Sequence, residues 1–257
     1  SKCRMRTKRI KIIIMESDLS EGYWVVEIIG ISGSGKTTLI NAIKDRNGVE
    51  IVRPIAFNQL KISYKLIPYI IIGLYLSVYN YLANFILFFL KKKNNCEQKL
   101  DFNLIKSVQI CKSVIKIGWF VIDDGSRPKK NMVYIYDQGV IYEISFLMSY
   151  FRVFSPLFFL DFINMSICRI SKIYSFIVFL DYKSTIVLER MKKRKDWSKY
   201  LDFFASESRV ILHVDRYYES YKYIFSKFNK DKYVINTLDF SKAKDCLIRF
   251  VEKKNNK

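Results

Sequence analysis

Five short apolar runs recur along the chain, and longer segments with helical or irregular patterns separate them. Because short apolar runs that alternate with helical segments are typical of buried parallel strands, the pattern predicts an α/β fold. We expect a three-layer sandwich in which helices cover a five-stranded parallel sheet. The predicted strands are Val25–Ile29, Val49–Arg53, Met132–Tyr136, Ser175–Leu180 and Lys232–Asn236.

The interval 55–130, between the second and third predicted strands, is too long for a simple crossover and must contain helices of its own. Within it, Phe102–Phe120 has apolar and polar residues at helical spacing, which predicts an amphipathic helix. The predicted apolar face contains Leu104, Val108, Cys111 and Ile115, and the predicted polar face contains Lys106, Gln109, Lys112 and Lys116.

A glycine-rich turn follows the first predicted strand and precedes a helical pattern. Residues 30–37, GISGSGKT, fit the phosphate-binding pattern G-x-x-x-x-G-K-[ST] at every fixed position, and we call them the glycine loop. Glycines let backbone N–H groups point at phosphate oxygens, and the following helix adds its positive end. We expect Lys36 to reach the outer phosphates of ATP and the Thr37 hydroxyl to bind Mg²⁺. The predicted nucleotide-binding residues are Gly30, Ser32, Gly33, Ser34, Gly35, Lys36, Thr37 and Thr38.

A site of this kind needs an acidic residue at the end of a neighbouring strand, where it holds Mg²⁺ or takes a proton from the attacking hydroxyl. Asp137 comes directly after the third predicted strand and is the best candidate for both roles. The structural alternative for Asp137 is a carboxylate that caps the next helix. Asp181 likewise comes directly after a predicted strand, but its position suits a structural or capping role.

The stretch Leu66–Leu90 carries no charged residue and is followed by three lysines, so it passes the length and flank test for a membrane-spanning helix. A single crossing would separate the glycine loop from Asp137 by a bilayer, although both must serve one nucleotide. Three alternatives stay open: a buried or partner-packed helix, a helix on a membrane surface, and a re-entrant or spanning helix. A stripe of small and polar residues runs along the stretch at Gly73, Ser77, Asn80 and Asn84.

The sequences that mark other phosphate-loop branches, such as NKxD or LSGGQ, are missing, and the glycine loop looks like those of nucleotide and nucleoside kinases. IVFLDYKSTIVLERMKKRKD, Ile177–Asp196, resembles the thymidylate-kinase-like group in its strand, Leu-Asp turn and helix with spaced arginines before a lid. The resemblance implies that Arg190 and Arg194, in a lid region 188–210, neutralise the migrating phosphoryl group, with Lys193 a weaker candidate.

Two further stretches carry the same resemblance. HVDRYYESYKYIF, which begins at His213, matches the group's Arg-x-x-x-x-Tyr helix at Arg216 and Tyr221, and KYVINTLDFSKAKDCLIRFV looks like its final strand and helix. The chain departs from the group on the acceptor side. The residue after Asp137 is glutamine where the group has arginine, and an Arg-Pro pair replaces the group's Arg-Glu-Pro.

The acceptor-side residues implied by the resemblance are therefore Arg53, Gln138 and Arg216, and they do not identify an acceptor. The Asp-Gln-Gly run is similar to that of uncharacterised kinase-like P-loop proteins. Those proteins also carry long apolar helices between their second and third strands.

The net charge of +20 indicates an anionic partner, although lysine-rich composition alone is an alternative explanation. Basic residues are spread widely and no nucleic-acid-binding motif is present, so the pattern disfavours nucleic acid. Residues 66–93 are the candidate for peripheral contact with an anionic membrane. Five scattered cysteines and one histidine argue against zinc and favour reduced thiols in a cytoplasm.

Together these features predict a basic arm, 1–14, and one kinase-like domain, 15–257. The predicted function is ATP- and Mg²⁺-dependent phosphoryl transfer to a small acceptor such as a nucleotide, nucleoside or sugar, in the cytoplasm or peripherally at the membrane. The alternative is a regulatory P-loop NTPase at a membrane surface.

Overall fold

The computed structural model of the chain describes residues 24–30, 34–46, 48–52, 60, 63–92, 104–122, 132–151, 155–181, 184–193, 197, 206–236, 244–245 and 248. The predicted arm 1–14 lies outside the described residues. The described strands are β1 (Trp24–Ile29), β2 (Val49–Val52), β3 (Val133–Asp137), β4 (Phe176–Asp181) and β5 (Asp231–Asn236). The described helices are α1 (Lys36–Ile43), α2 (Ile67–Lys92), α3 (Leu104–Ile122), α4 (Val140–Tyr150), α5 (Phe159–Ile173), α6 (Ser184–Lys192) and α7 (Glu207–Lys227).

The strands form a sheet in the order β2-β3-β1-β4-β5, and each neighbouring pair is parallel. This confirms the predicted α/β fold with a parallel sheet. β1 occupies the centre, so the glycine loop that follows it emerges between the ends of β3 and β4. Ligands of parallel sheets bind at such a position, where the chain leaves neighbouring strands toward different helices.

The central strands are buried on both faces, which explains their unbroken apolar sequences. All residues of β1 after Trp24 are buried, and in β4 only the terminal Asp181 is partly exposed. Strands covered by helices on both sides lack the apolar–polar alternation of a half-exposed strand. The same rule makes Glu27, in the middle of β1, an exception that needs a partner.

α2 packs on α3 through its stripe of small and polar residues. A Cβ atom on Gly73 would lie 3.1 Å from Cys111 Sγ, so the two helices approach closely there. One turn further on, Ser77 Oγ donates to the carbonyl oxygens of Gly73 and Ser107, both at 2.7 Å. The stripe is thus the contact face of a helix pair.

The predicted apolar face of α3 was wrong in part, because α3 packs against other helices on more sides than its sequence pattern indicated. Val108 is 44% exposed, whereas Ile110, Val114 and Ile117 are fully buried. α3 lies against both α2 and α4, so two contact faces decide which side chains are buried. Lys116, which was predicted on the polar outer face, forms a 2.7 Å ion pair with Glu143 of α4.

The opposite side of α2 is apolar and exposed. Within the described part of the chain, Tyr64–Ala83 is the one helical stretch long and apolar enough to cross a membrane by length and composition. Only 22% of its most apolar 18-residue part is buried inside the protein. Most of the apolar side chains described on α2 are therefore exposed.

Candidate functional site

The glycine loop joins the central strand to α1. At both of its ends, a residue with a side chain would be strained or would clash with its neighbours. Gly35 has a φ of 93°, in the left-handed region, and α1 begins at the next residue, Lys36. At Gly30, a Cβ atom would lie 2.7 Å from Ser34 Oγ and 3.1 Å from Leu180 Cβ. Glycine is therefore required at both places for the chain to turn this tightly.

The interior of the loop offers a donor. Ser34 is fully buried, and its hydroxyl has no hydrogen-bond partner in the described structure. A buried hydroxyl without a partner costs about 1–3 kcal/mol, which an acceptor oxygen from a ligand would offset. Ser34 and the close approach at Gly30 together fit a loop that receives a phosphate group.

Lys36 folds back across the loop rather than pointing away from it. Its Nζ donates a 2.5 Å hydrogen bond to the carbonyl oxygen of Gly30, at the end of β1. Thr37 and Thr38 follow at the exposed start of α1. The first turn of α1 contains no acidic residue, so its positive end is not neutralised from within the helix. This arrangement suits an anionic ligand.

Asp137 lies beside the strand that leads into the glycine loop. It is the last residue of β3, and it pairs in register with Ile28, two residues before Gly30. The carboxylate is half-buried. The predicted metal carboxylate and the predicted phosphate loop thus come from hydrogen-bonded neighbouring strands.

The described residues contain no cluster of three or more His, Cys, Asp or Glu side chains that could hold a metal. Mg²⁺ does not need such a cluster, because it is usually held by one or two protein oxygens, substrate phosphates and water. Thr37 and Asp137 are the residues that would hold it. Bound there, Mg²⁺ would neutralise charge on the phosphates.

The residue after Asp137 adopts an unusual conformation. Gln138 has a φ of 68°, and it alone among the described residues other than glycine has a positive φ. Such a conformation is uncommon for a residue with a side chain and often marks a functional turn. Gln138 is exposed. We call residues 137–139 the Asp137 turn.

Glu27 fixes the far side of this turn, and the sequence reasoning missed it. Its buried carboxylate accepts hydrogen bonds of 3.2 Å from the backbone N–H groups of Ile141 and Tyr142, at the start of α4. The hydroxyl of Tyr174 donates to the same carboxylate at 2.6 Å. A signal was present in the sequence: a carboxylate inside an apolar, doubly buried strand must have partners.

Burial has the largest effect on the pKa of Glu27. Desolvation raises the pKa of Glu27 from 4.5 to about 7, although the hydrogen bonds from Tyr174 and the α4 backbone oppose the rise. Burial likewise raises the pKa of Tyr174 well above 10, and the neighbouring Glu27 adds to that effect. Tyr174 therefore stays protonated and serves as a donor.

The predicted lid and acceptor residues are only partly described. Arg190 is exposed near the end of α6, and Lys193 follows that helix. Arg216 is half-buried on α7, while Tyr221, its partner in the sequence pattern, is fully buried in the core. The roles proposed for these residues stay predictions. Ser32, Gly33, Arg53 and Arg194 lie outside the described residues.

Asp181 lies at the other flank of the loop, at the end of β4. Its Oδ1 accepts a 2.6 Å hydrogen bond from the hydroxyl of Tyr218 on α7. This contact ties the strand to a helix, in agreement with the structural role predicted for Asp181. The two strand-end carboxylates thus have different environments on opposite sides of β1.

A parallel sheet whose central strand leads through a G-x-x-x-x-G-K-[ST] loop into a helix is the arrangement of P-loop proteins. Among solved structures, the chain resembles a deoxyadenosine kinase from M. mycoides with bound dATP, at 16% identity over 91% of this chain and 100% of that one, with a TM-score of 0.47. It also resembles that kinase with bound dCTP, at 16% identity over 90% and 98% of the two chains, with a TM-score of 0.48.

No profile of a known protein family matches the chain. No curated protein sequence matches it either. The thymidylate-kinase-like assignment accordingly stays a prediction.

Proposed function

We propose that this chain is a phosphotransferase that moves the terminal phosphoryl group of ATP to a hydroxyl or phosphate of a small acceptor. The observation that carries the proposal is the register of β1 and β3, which pairs Asp137 with Ile28, two residues before the glycine loop. The acceptor classes are nucleosides, nucleotides and sugars.

On the donor side, the loop backbone and the start of α1 would hold the phosphates of ATP. Lys36 would neutralise charge on the outer phosphates, and Thr37 would hold Mg²⁺. Positive groups fixed in advance stabilise the charge that spreads over the transferred phosphoryl oxygens. The absence of a carboxylate in the first turn of α1 supports this role.

On the acceptor side, Asp137 would hold Mg²⁺ or orient the acceptor hydroxyl; its position on the strand beside β1 supports this role. A new bond forms between the acceptor oxygen and the terminal phosphorus, and the bond from that phosphorus to the bridging oxygen of ADP breaks. The proton of an acceptor hydroxyl passes to Asp137 or to water. Arg190 and Arg194 are proposed to stabilise the transferred group once the lid region closes.

The direct test is a screen with γ-labelled ATP and Mg²⁺ over nucleosides (deoxyadenosine and thymidine among them), nucleotides and sugars. We expect label to reach one acceptor class. In Lys36→Ala the transfer should fall by about 100-fold or more, because a preorganised cation is lost at the phosphates. Transfer that persists in Lys36→Ala would show that the glycine loop is not the donor site.

The alternative, a regulatory NTPase at a membrane surface, is supported by the exposed apolar side of α2. It differs from the kinase in one measurable respect, because it needs no acceptor. Release of labelled inorganic phosphate in the same screen, with no labelled acceptor in any class, would favour this alternative.

A further inference from the structure

α2 differs from the usual surface helix of a water-soluble domain, because both of its sides carry apolar residues. Tyr69 and Leu76 are buried in the core, and the outward side is apolar as well. The small and polar stripe of α2, at Gly73, Ser77 and Asn80, lies against α3. A surface helix in water normally turns its polar side outward and its apolar side to the core. Close packing through small and hydroxyl-bearing residues, with apolar side chains outside, is instead typical of helices in contact with lipid.

The outward side is a continuous apolar surface, which we call the α2 outer face. Its described members recur at helical spacing from Ile67 to Ile86, about 30 Å along the helix axis for 20 residues. The start of α5 extends it, because the rings of Tyr75 and Phe158 lie 5.2 Å apart and Leu157 is fully exposed. The exposed residues on and just before α2 are Tyr64, Ile67, Ile71, Leu74, Tyr75, Val78, Tyr81, Leu82, Phe85 and Ile86.

The charged residues of α2 and of the segment just before it have one sign. No acidic residue occurs in the sequence between Glu50 and Glu97, and none occurs within α3. Lys65 is exposed immediately before the helix, and Lys91 and Lys92 end it. Asp161, which is exposed, is the one acidic residue of α5. The described face is therefore apolar, and the sequence places lysines just before the helix and at its end.

This charge pattern favours an anionic membrane over a second copy of the chain as the partner of the α2 outer face. A second copy of the chain on the same face would bring lysine-flanked helices without carboxylates against each other, and like charges would repel. An anionic lipid surface presents apolar chains beneath negative headgroups, and it matches both properties. Each lysine near such a surface contributes about 1 kcal/mol at ordinary ionic strength.

The contacts between α2 and the rest of the domain also limit how α2 can bind a membrane. α2 is held on the domain by Ser77 and Asn80, and Arg169 of α5 donates to the hydroxyl of Tyr69 at 3.0 Å. α3 in turn is held on α4 by the Lys116–Glu143 ion pair. A helix attached along one side to a folded domain cannot cross a bilayer, but it can lie in its surface.

We propose that the α2 outer face docks the protein on an anionic membrane, with the helix lying in the headgroup region. The apolar side chains enter the boundary of the acyl chains, and the lysines at the helix ends contact lipid phosphates. The inference is independent of the phosphoryl-transfer proposal, since it uses no residue of the glycine loop or of the Asp137 turn.

The test is vesicle flotation of the full chain, with vesicles of phosphatidylcholine alone and of phosphatidylcholine with about 30% phosphatidylglycerol. We expect flotation with the anionic vesicles at about 0.05 M salt, and a severalfold loss at about 0.5 M salt because the lysine contacts are screened. Leu74→Glu, on the outer face, should lower vesicle affinity by about tenfold or more.

Leu212→Glu is the matched control, since Leu212 is 48% exposed on α7 and Leu74 is 55% exposed on α2. The control should float like the natural chain. Both variants should keep their melting temperature and their ATP turnover in solution, because neither residue lies at the glycine loop. This readout separates a failure of docking from a failure of the proposed kinase activity.

Three results would overturn the inference. The first is no flotation with either vesicle at low salt. The second is a vesicle-independent dimer that Leu74→Glu dissociates, which would make the face a protein interface. The third is protein that stays with the vesicles after alkaline carbonate extraction, which would indicate an integral rather than a surface helix.

Discussion

The carboxylate of Glu27 lies where a side chain at residue 139 would have to be. A Cβ atom on Gly139 would approach Glu27 Oε2 to 2.5 Å and the hydroxyl oxygen of Tyr174 to 2.7 Å. Gly139 has ordinary extended backbone angles, so the need for glycine is steric rather than conformational. The Asp137 turn is thus shaped by a carboxylate on the strand that carries the glycine loop.

Gly139→Ala should destabilise the protein by about 1–3 kcal/mol, because neither buried group can move without losing its hydrogen bonds. It should also lower phosphoryl transfer, since the turn that carries Asp137 must shift. Urea unfolding and the transfer assay measure the two effects.

A double-mutant cycle with Glu27→Ala tests the cause of the Gly139→Ala effect. If the clash is with the carboxylate, the cost of Gly139→Ala should shrink when Glu27 is truncated. Strictly additive costs would contradict a direct steric conflict between the two residues.

Glu27 should give stability a particular dependence on pH. Its pKa of about 7 in the folded chain lies above its ordinary value of 4.5, so the folded chain holds this proton more tightly than the unfolded chain. The resulting stabilisation is fully present below pH 4.5 and is lost as the pH rises to about 7, by roughly 3 kcal/mol in total.

Glu27→Gln, which cannot titrate, should remove this contribution. The difference in unfolding free energy between the natural chain and Glu27→Gln should therefore change between pH 4.5 and pH 7 and be constant above pH 7.5, measured by urea titration at each pH. A difference that does not vary over this window would refute a carboxyl group with a raised pKa.

Tyr174→Phe should cost about 1–2 kcal/mol, because it leaves a buried carboxyl group without its shortest hydrogen bond. Since that bond lowers the pKa of Glu27, its loss should also move the upper end of the pH window above 7. Tyr223→Phe is the control: its hydroxyl donates to Asn164 at an exposed position, and its loss should cost under about 0.5 kcal/mol. Equal costs for the two variants would argue against the Glu27 network.

Asp137→Asn should lower phosphoryl transfer by about 100-fold and raise the Mg²⁺ concentration needed for half-maximal rate. Asp181→Asn serves as the matched control, since both aspartates end strands that flank β1 but Asp181 is engaged by Tyr218. We expect the control to change stability slightly and the Mg²⁺ dependence not at all. If Asp181→Asn changed the Mg²⁺ dependence and Asp137→Asn did not, the metal would lie at the end of β4 instead of β3.

Arg194→Ala should lower the turnover rate more than it lowers nucleotide affinity, because a lid cation acts mainly on the transferred group. Arg190→Ala should behave in the same way if both residues belong to the lid. Nucleotide affinity and turnover measured on the same preparations decide the matter. Equal losses in the two quantities would argue against a lid role.

Local pattern was sufficient to predict the strands and the glycine loop. Doubly buried parallel strands have unbroken apolar sequences, and the loop is defined by residues adjacent in the chain. Asp137 and Asp181 proved to be the last residues of β3 and β4 rather than the residues after them, because pairing with Ile28 and Asn236 continues to those positions. An error of one residue at a strand end is a small one.

Contacts between distant parts of the chain were harder to predict. Glu27 meets Ile141 and Tyr174 across 114 and 147 residues, and no local pattern reveals which carboxylate a distant helix start will contact. The same limit explains the error at α3, where two neighbouring helices decide which of its faces is buried. The stripe on α2 was visible in the sequence, but only the position of α3 shows which way it faces.

The bond from the Lys36 ammonium to the carbonyl oxygen of Gly30 restricts this long side chain. An ammonium group has three N–H donors, so a phosphate oxygen can bind the same group without displacing the backbone oxygen. A lysine that is already held in place loses less conformational freedom when the ligand arrives than a lysine that moves freely in solvent. The Gly30 carbonyl thus lowers the entropic cost of binding a phosphate at Lys36.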